Sequence, residues 1–210
     1  MARYAGPVCR LCRREGVKLF LKADRCFTPK CAIDKRNTPP GARRNRPPRQ
    51  RSTNYAMQLR EKQKIRRTYG LMEKQFRRHY REAERQIGET GVNLLLLLEC
   101  RLDNVVFRMG FASSRRQARQ LVNHGHFLVN GKKLDVPSAS LNIGDEISIR
   151  VKSRKLDVIQ VSQERASDIG RPSWVEVQPE KLVGKIVAVP ERENIDVVVN
   201  EQLIVEYYSR

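Results

Sequence analysis

Four cysteines, Cys9, Cys12, Cys26 and Cys31, are spaced C-x2-C-x13-C-x4-C, and this spacing restricts the N-terminal fold more tightly than anything else in the chain. Two short cysteine pairs separated by a loop can each turn back and offer both thiolates to one tetrahedral Zn2+, so these four are the candidate metal ligands. The segment around them is strongly basic. Residues 1–50 carry fourteen Lys and Arg against Glu15, Asp24 and Asp34, a formal +11 out of +19 for the whole chain. A stretch so charged and so short of apolar residues cannot build a core unaided, and a metal supplies the missing folding energy. The expectation is a metal-folded piece lying against a polyanion. Two disulfides would suit a secreted protein, but the N-terminus shows no apolar signal core, so metal in a reducing cytosol is expected instead. Cys100 stands apart from the quartet and reads as a packing residue.

A length of 210 residues fits one or two domains. A charge of +19 repels itself unless something negative is bound, which makes nucleic acid the first candidate partner and an anionic membrane surface the second. The longest leucine run, Leu94 to Leu98, falls far short of the roughly 18 residues of a spanning helix, so no membrane segment is expected. Charge thins toward the C-terminus. Residues 51–90 hold eleven basic and five acidic side chains, residues 91–150 eight and five, and residues 151–210 nine and ten. The polyanion-facing side therefore lies toward the N-terminus.

After the cysteines, Thr38-Pro39-Pro40-Gly41 and the run Arg43, Arg44, Arg46 and Arg49 prevent helix and core alike, and an extended segment running over a partner is expected, with a solvated linker as the alternative. From Asn54 the pattern becomes helical, with a break at Gly70. Tyr69, Met72, Phe76, Tyr80, Ala83 and Ile87 recur at spacings of three and four and predict one apolar stripe. Lys74, Arg77, Arg78, Arg81 and Arg85 occupy the opposite face, where phosphate contact is expected. Asn93 is expected to cap a short helix burying Leu94, Leu97 and Leu98.

The stretch from Arg101 to Lys152 is the best specified. Leu102, Val105, Val106 and Met109 predict one helix ended by Gly110. Ser113 or Ser114 predicts the N-cap of a second helix through Asn123, stopped by Gly125. Asn130-Gly131 between Phe127–Val129 and Lys132–Leu134 predicts a hairpin with a type I′ turn, and a further strand is expected from Ile147 to Val151. Arg115, Arg116 and Arg119 on the second helix, with Lys132 and Lys133 on the hairpin, would make a basic face, since a guanidinium donates two parallel hydrogen bonds to phosphate. Alternating runs at Ile186–Val189, Ile195–Val199 and Leu203–Tyr208 read as strands, with a turn at Pro190–Glu193. Trp174 reads as an anchor returning the chain onto an earlier domain, with an exposed stacking indole as the alternative.

Four of these stretches carry a family resemblance. Residues 60–71 (REKQKIRRTYGL) with 75–78 (QFRR) resemble the first helical domain of the bacterial-type small-subunit ribosomal protein number four. Residues 97–99 (LLE), 101–108 (RLDNVVFR), 110–112 (GFA), 115–125 (RRQARQLVNHG) and 129–131 (VNG) resemble the small RNA-binding module named after that protein. Residues 203–209 (LIVEYYS) resemble the family's ending. The resemblance implies an α+β fold in three parts. These are a metal-bound basic N-terminal arm at 1–50, a helical domain at 51–98 completed by the tail at 171–210, and an inserted RNA-binding module at 99–165 with two helices and a small antiparallel sheet.

By the same resemblance the protein is a structural constituent of the small ribosomal subunit in the cytoplasm. It would bind small-subunit ribosomal RNA early, at a multi-helix junction of the 5′ domain. Neighbouring small-subunit proteins are implied partners, at an interface affecting decoding accuracy, together with mRNA near its point of arrival. No membrane partner is implied. The candidate RNA-binding residues are Arg43, Arg44, Arg46, Arg49, Lys62, Lys64, Arg66, Arg67, Lys74, Arg77, Arg78, Arg81, Arg115, Arg116, Arg119, Lys132 and Lys133. Many members of the family lack the cysteine quartet, so this chain would belong to a zinc-keeping subset. An iron–sulfur cluster is the alternative occupant that the spacing leaves open.

Two rivals are weighed against this reading. The same small module is appended to RNA-modifying enzymes, but no stretch here offers a catalytic domain, and His79, His124 and His126 form neither a triad nor a metal pattern. A zinc-ribbon DNA-binding regulator would leave the basic helix and the module unexplained. The chain is expected not to be an enzyme.

Overall fold

The computed structural model describes residues 4–41 and 53–209. The helices are, in chain order, α1 (Cys9–Glu15), α2 (Ala32–Lys35), α3 (Asn54–Thr68), α4 (Glu73–Arg85), α5 (Thr90–Glu99), α6 (Leu102–Arg108), α7 (Arg115–Asn123), α8 (Asp157–Ile169) and α9 (Glu201–Tyr208). The strands among the described residues are β1 (Phe127–Val129), β2 (Lys132–Lys133), β3 (Glu146–Ile149), β4 (Val175–Gln178) and β5 (Val183–Ile186). The chain falls into two compact units, residues 1–93 with 197–210 and residues 94–196, the boundary lying inside α5.

In the first unit α3 begins where the sequence places it, with Thr53 Oγ1 accepting from the Ala56 N–H at 3.2 Å. It ends at Tyr69 and Gly70, whose φ of +65° suits glycine. Phe76, Tyr80 and Ala83 of α4 are fully buried, so the middle of the expected stripe is real. Tyr69 at its start is buried as well, whereas Met72 is partly exposed and Ile87, at its end, fully exposed. Asn93 caps from the other side. Its amide nitrogen donates to the Ala83, Gln86 and Ile87 carbonyls at 3.3–3.4 Å, closing the C-terminal end of α4, while α5 itself starts at Thr90. Leu94, Leu95 and Leu98 are buried, and Leu97 is only half-buried.

The tail differs most from its sequence pattern. Residues 203–208, which alternate like a strand, belong to helix α9, nucleated by Asn200, whose side chain accepts from the Gln202 and Leu203 N–H groups. Packing against α3 decides it. Gln58 Nε2 donates to Glu206 Oε2 at 2.7 Å and the Asn200 N–H donates to Glu61 Oε2, while the Tyr208 ring lies tilted against Tyr80 of α4 with centroids 4.4 Å apart. In a six-residue run, side chains at 204, 207 and 208 fit one helical face as readily as alternation fits a sheet.

The second unit is built on a fully antiparallel sheet in the order β2-β1-β3-β5-β4. The Asn130-Gly131 turn has φ of +49° and +77°, the type I′ signature, so the hairpin forms as expected. Ser114 is the N-cap of α7, accepting from the Gln117 N–H, and α7 ends at Asn123. Strand β3 stops at Ile149, two residues short of the expected end, and Val151 lies in a 3-10 turn. Strands β4 and β5 come from the segment expected to complete the helical domain. They extend the module's sheet instead, so only residues from 197 onward join the first unit. Helix α8 has no counterpart in the expected two-helix module. Trp174 is buried with Met109, Phe111, Phe127, Ile147 and Ile186 in this unit's core. Gly184 is required there, because a Cβ at that position would lie 2.5 Å from Met109 Sδ. Residues 187–189 and 195–199 form no strand.

Candidate nucleic-acid interface

Helix α4 separates its residues cleanly. The buried Phe76, Tyr80 and Ala83 lie on one side, and Lys74, Arg77, Arg78, Arg81 and Arg85 stand exposed on the other. At 3.6 residues per turn the five cations fall within an arc of about 100°. Glu82 and Glu84 flank this arc without entering it. Among the described residues none of the five takes part in an ion pair, as Lys62 and Arg66 do. A stripe of solvated cations on a rigid helix is what a phosphate backbone meets with little desolvation cost.

Helix α3 carries its charge differently, its four candidate cations being engaged by groups of the chain itself. Lys62 is 3% exposed, its ammonium 2.7 Å from Glu73 Oε1 and 4.4 Å from the centre of the Tyr207 ring. Lys64 pairs with Glu61 at 2.5 Å. Arg66 donates to Gln63 Oε1 at 2.7 Å and lies 3.8 Å from Glu73. Arg67 and Arg60 converge on Glu15, whose side chain is fully buried at the end of α1. Lys62, Arg60 and Arg67 thus join α3 to other elements of the first unit, while Lys64 bonds within α3. Burial pushes the Glu73 carboxyl up, but hydrogen bonds from Lys62 and the Tyr208 hydroxyl outweigh it and hold the group below the usual glutamate range.

The module repeats the lesson. Arg119, expected at the RNA, is buried and gives Nη1 to Asp103 Oδ2 at 3.0 Å, alongside Arg101 at the same distance. Arg115 is largely covered. Its Nε donates to Asn104 Oδ1 at 2.7 Å, and its guanidinium lies 4.7 Å over the Phe107 ring. Asn104 in turn donates to the buried Glu99, which Arg108 grips through two nitrogens at 2.9 and 3.0 Å. Arg116 is exposed, as expected for a surface residue of α7. Lys132 and Lys133 are exposed too, Lys133 with Asp135 at 3.1 Å.

Lys133 and Arg150 both reach Gly125. The end of the Lys133 side chain passes close by, its Cε 2.5 Å from where a Cβ would stand, and φ of +70° is the left-handed conformation that favours glycine. Arg150 donates to the Gly125 carbonyl at 3.2 Å, and His126 Nδ1 is 2.9 Å from Ser153 Oγ. Burial, aided by His124 and Arg150, holds His126 below the usual histidine range. Lys152, Arg154 and Lys155, exposed on the turn after β3, add cations that the sequence reading passed over. Three basic residues in four were the available signal.

All four quartet cysteines are free thiols and line one cavity of about 10 Å³ with Val8, Leu21, Lys22, Arg25, Ala32 and Ile33. Cys12, Cys26 and Cys31 are buried, and the Lys22 N–H donates to Cys26 Sγ at 3.3 Å. Burial pushes the Cys12 and Cys26 thiols up, and the neighbouring cysteines add to the effect. Soft sulfur donors sharing one small cavity fit a thiolate-binding metal in kind. Among the described residues no group of three or more His, Cys, Asp or Glu side chains is gathered closely enough to hold an ion. Cys100 lies elsewhere, its thiol pushed up to about 11 by burial and the adjacent Glu99. Arg43, Arg44, Arg46 and Arg49 lie outside the described residues. Among the described residues no helix is long and apolar enough to cross a membrane.

Residues 3–99 match the Ribosomal protein S4/S9 N-terminal domain, and residues 100–147 match the S4 domain. The chain is 58% identical to small ribosomal subunit protein uS4 of Natranaerobius thermophilus, with both chains covered over their full length. It is 56% identical to that of Syntrophomonas wolfei and 55% to that of Acidobacterium capsulatum, again over the whole of each chain.

Proposed function

The chain belongs to the small ribosomal subunit protein uS4 family, and from that membership we propose how it works. It is a structural, RNA-binding protein of the small ribosomal subunit and not an enzyme. Its partners are small-subunit ribosomal RNA and neighbouring ribosomal proteins, on the ribosome in the cytoplasm. The observation that carries the mechanism is the solvated arc of Lys74, Arg77, Arg78, Arg81 and Arg85 on α4. In the second unit Arg116, Lys132 and Lys133 take the same part, with Lys152, Arg154 and Lys155 added. Each neutralised phosphate releases condensed counterions, so affinity falls steeply with salt. Structured RNA is read by shape and backbone, and two units each with its own basic surface raise avidity by linking their binding events. Early docking at the 5′-domain junction, a place near the arriving mRNA and an effect on decoding accuracy follow from the family resemblance. The test is a filter-binding titration against a 5′-domain transcript at rising salt. A flat salt response, or equal affinity for an unstructured RNA, would overturn the mechanism.

The cysteine quartet is proposed to hold one Zn2+. Zinc bound by four thiolates would supply folding energy to a segment poor in apolar residues, with no catalytic part. Cys9, Cys12, Cys26 and Cys31 would be its ligands, and their shared cavity supports the reading. Metal analysis of anaerobically purified protein should give one zinc per chain. Iron with a visible absorption band would replace zinc by an iron–sulfur cluster.

A further inference from the structure

Two phenyl rings on the cysteine-rich segment have no place in its small core. Val8, Cys12, Leu19 and Leu21 form that core, with Leu11, Val17 and Ile33 against it. Phe20 lies between the two buried leucines yet is 43% exposed, and Phe27 is 63% exposed. The rings stack on each other, centroids 5.1 Å apart and planes 28° from parallel. The backbone holds them there at a cost. Phe20 has φ of +49°, a left-handed conformation that bulky residues rarely adopt and that clusters at binding sites. Leu19 and Leu21 stay inside and Phe20 is turned outward.

The loop presenting the rings is ordered by its own hydrogen bonds. The Phe27 N–H donates to the Asp24 carbonyl at 2.9 Å, the Cys31 N–H to the Thr28 carbonyl at 3.0 Å, and Arg25 Nε to the Lys30 carbonyl at 3.3 Å. Residues 18–30 carry four basic side chains against one acidic, and Lys22, Arg25 and Lys30 are exposed. Exposed stacked aromatics amid cations combine the two things an unpaired nucleotide needs, a flat apolar face for its base and positive charge for its phosphates. A protein partner would bury the rings as well, but the excess of cations selects a polyanion.

We propose that Phe20 and Phe27 form a stacking platform for an unpaired RNA base, with Lys22, Arg25 and Lys30 meeting the flanking phosphates. The proposal rests on the RNA-binding reading above and names one class of nucleotide that the N-terminal segment takes. The probe is an oligoadenylate strand of about twelve nucleotides, compared with the same strand annealed to its complement. The full-length F20L/F27L variant keeps the apolar bulk and removes both π faces. Its affinity for the single strand should fall about ten-fold, with the duplex affected less than about two-fold, and F20Y/F27Y should bind like the parent. Equal losses on both probes, or no loss with leucine, overturn stacking.

A second measurement needs no variant. Oligoadenylate added to the parent protein should shift the ring-proton resonances of Phe20 and Phe27 upfield, and unmoved resonances overturn the platform. A parent that binds the 5′-domain transcript while these rings stay silent sinks this inference alone. Failure to bind that transcript sinks the RNA-binding reading.

Discussion

Along α3, Lys62 meets Glu73 at 2.7 Å inside a cage of tyrosines, and Arg67 meets the buried Glu15. Along α4, five Lys and Arg side chains stand in solvent on one face. The two helices are adjacent in sequence and both rich in cations, and the difference lies in where the carboxylates are. Glu15, Glu61 and Glu73 all turn toward α3, while Glu82 and Glu84 flank the α4 stripe. A count of basic residues therefore measures the demand for negative charge without saying whether the fold or a partner supplies it.

Reversing the outer face of α4 tests this contrast hardest. R77E/R81E/R85E should lose on the order of 1,000-fold in affinity for the 5′-domain transcript, about 4 kcal/mol, with an unchanged circular dichroism spectrum. Next comes Arg119, the module's equivalent of the α3 pattern. R119A leaves Asp103 with one buried partner fewer and should cost about 3 kcal/mol in urea denaturation, while folded protein binds RNA nearly as before. K62A should cost about 2 kcal/mol, less because Glu73 is partly exposed, and change the affinity of folded protein by less than about two-fold. A K62A protein that folds normally yet binds as poorly as the α4 reversal would erase the distinction between the helices.

The smallest effect is a pH dependence. The folded Glu73 carboxyl titrates below its unfolded value of about 4.3, so its contribution is present above that pH and is lost as pH falls through the folded pKa. E73Q should flatten that acid limb of the thermal unfolding curve. An identical acid limb in E73Q and parent would assign it to other groups.

What proved legible in the sequence was local. Ser114 and Gly125 mark the ends of α7 because a cap and a left-handed residue act within a few positions of themselves. Asn130-Gly131 determines its turn for the same reason. The exposed face of α4 was readable because helical periodicity alone puts Phe76 and Arg77 on different sides. The α3 cations were not readable, since Arg67 finds Glu15 across 52 residues and Arg60 finds it across 45. The tail misled because six residues alternate as well as they spiral, and only the cap at Asn200 and the surface of α3 separate the two.

By itself, then, the sequence determined the chain's α+β character, its helix and turn boundaries in the module, its excess of positive charge and its family likeness. Tertiary structure alone decided which cations were consumed internally, which sheet took strands β4 and β5, and that Phe20 and Phe27 face outward between buried leucines. Caps and turns draw on neighbours a few bonds away. The fate of a charge or a ring depends on what the folded chain places beside it.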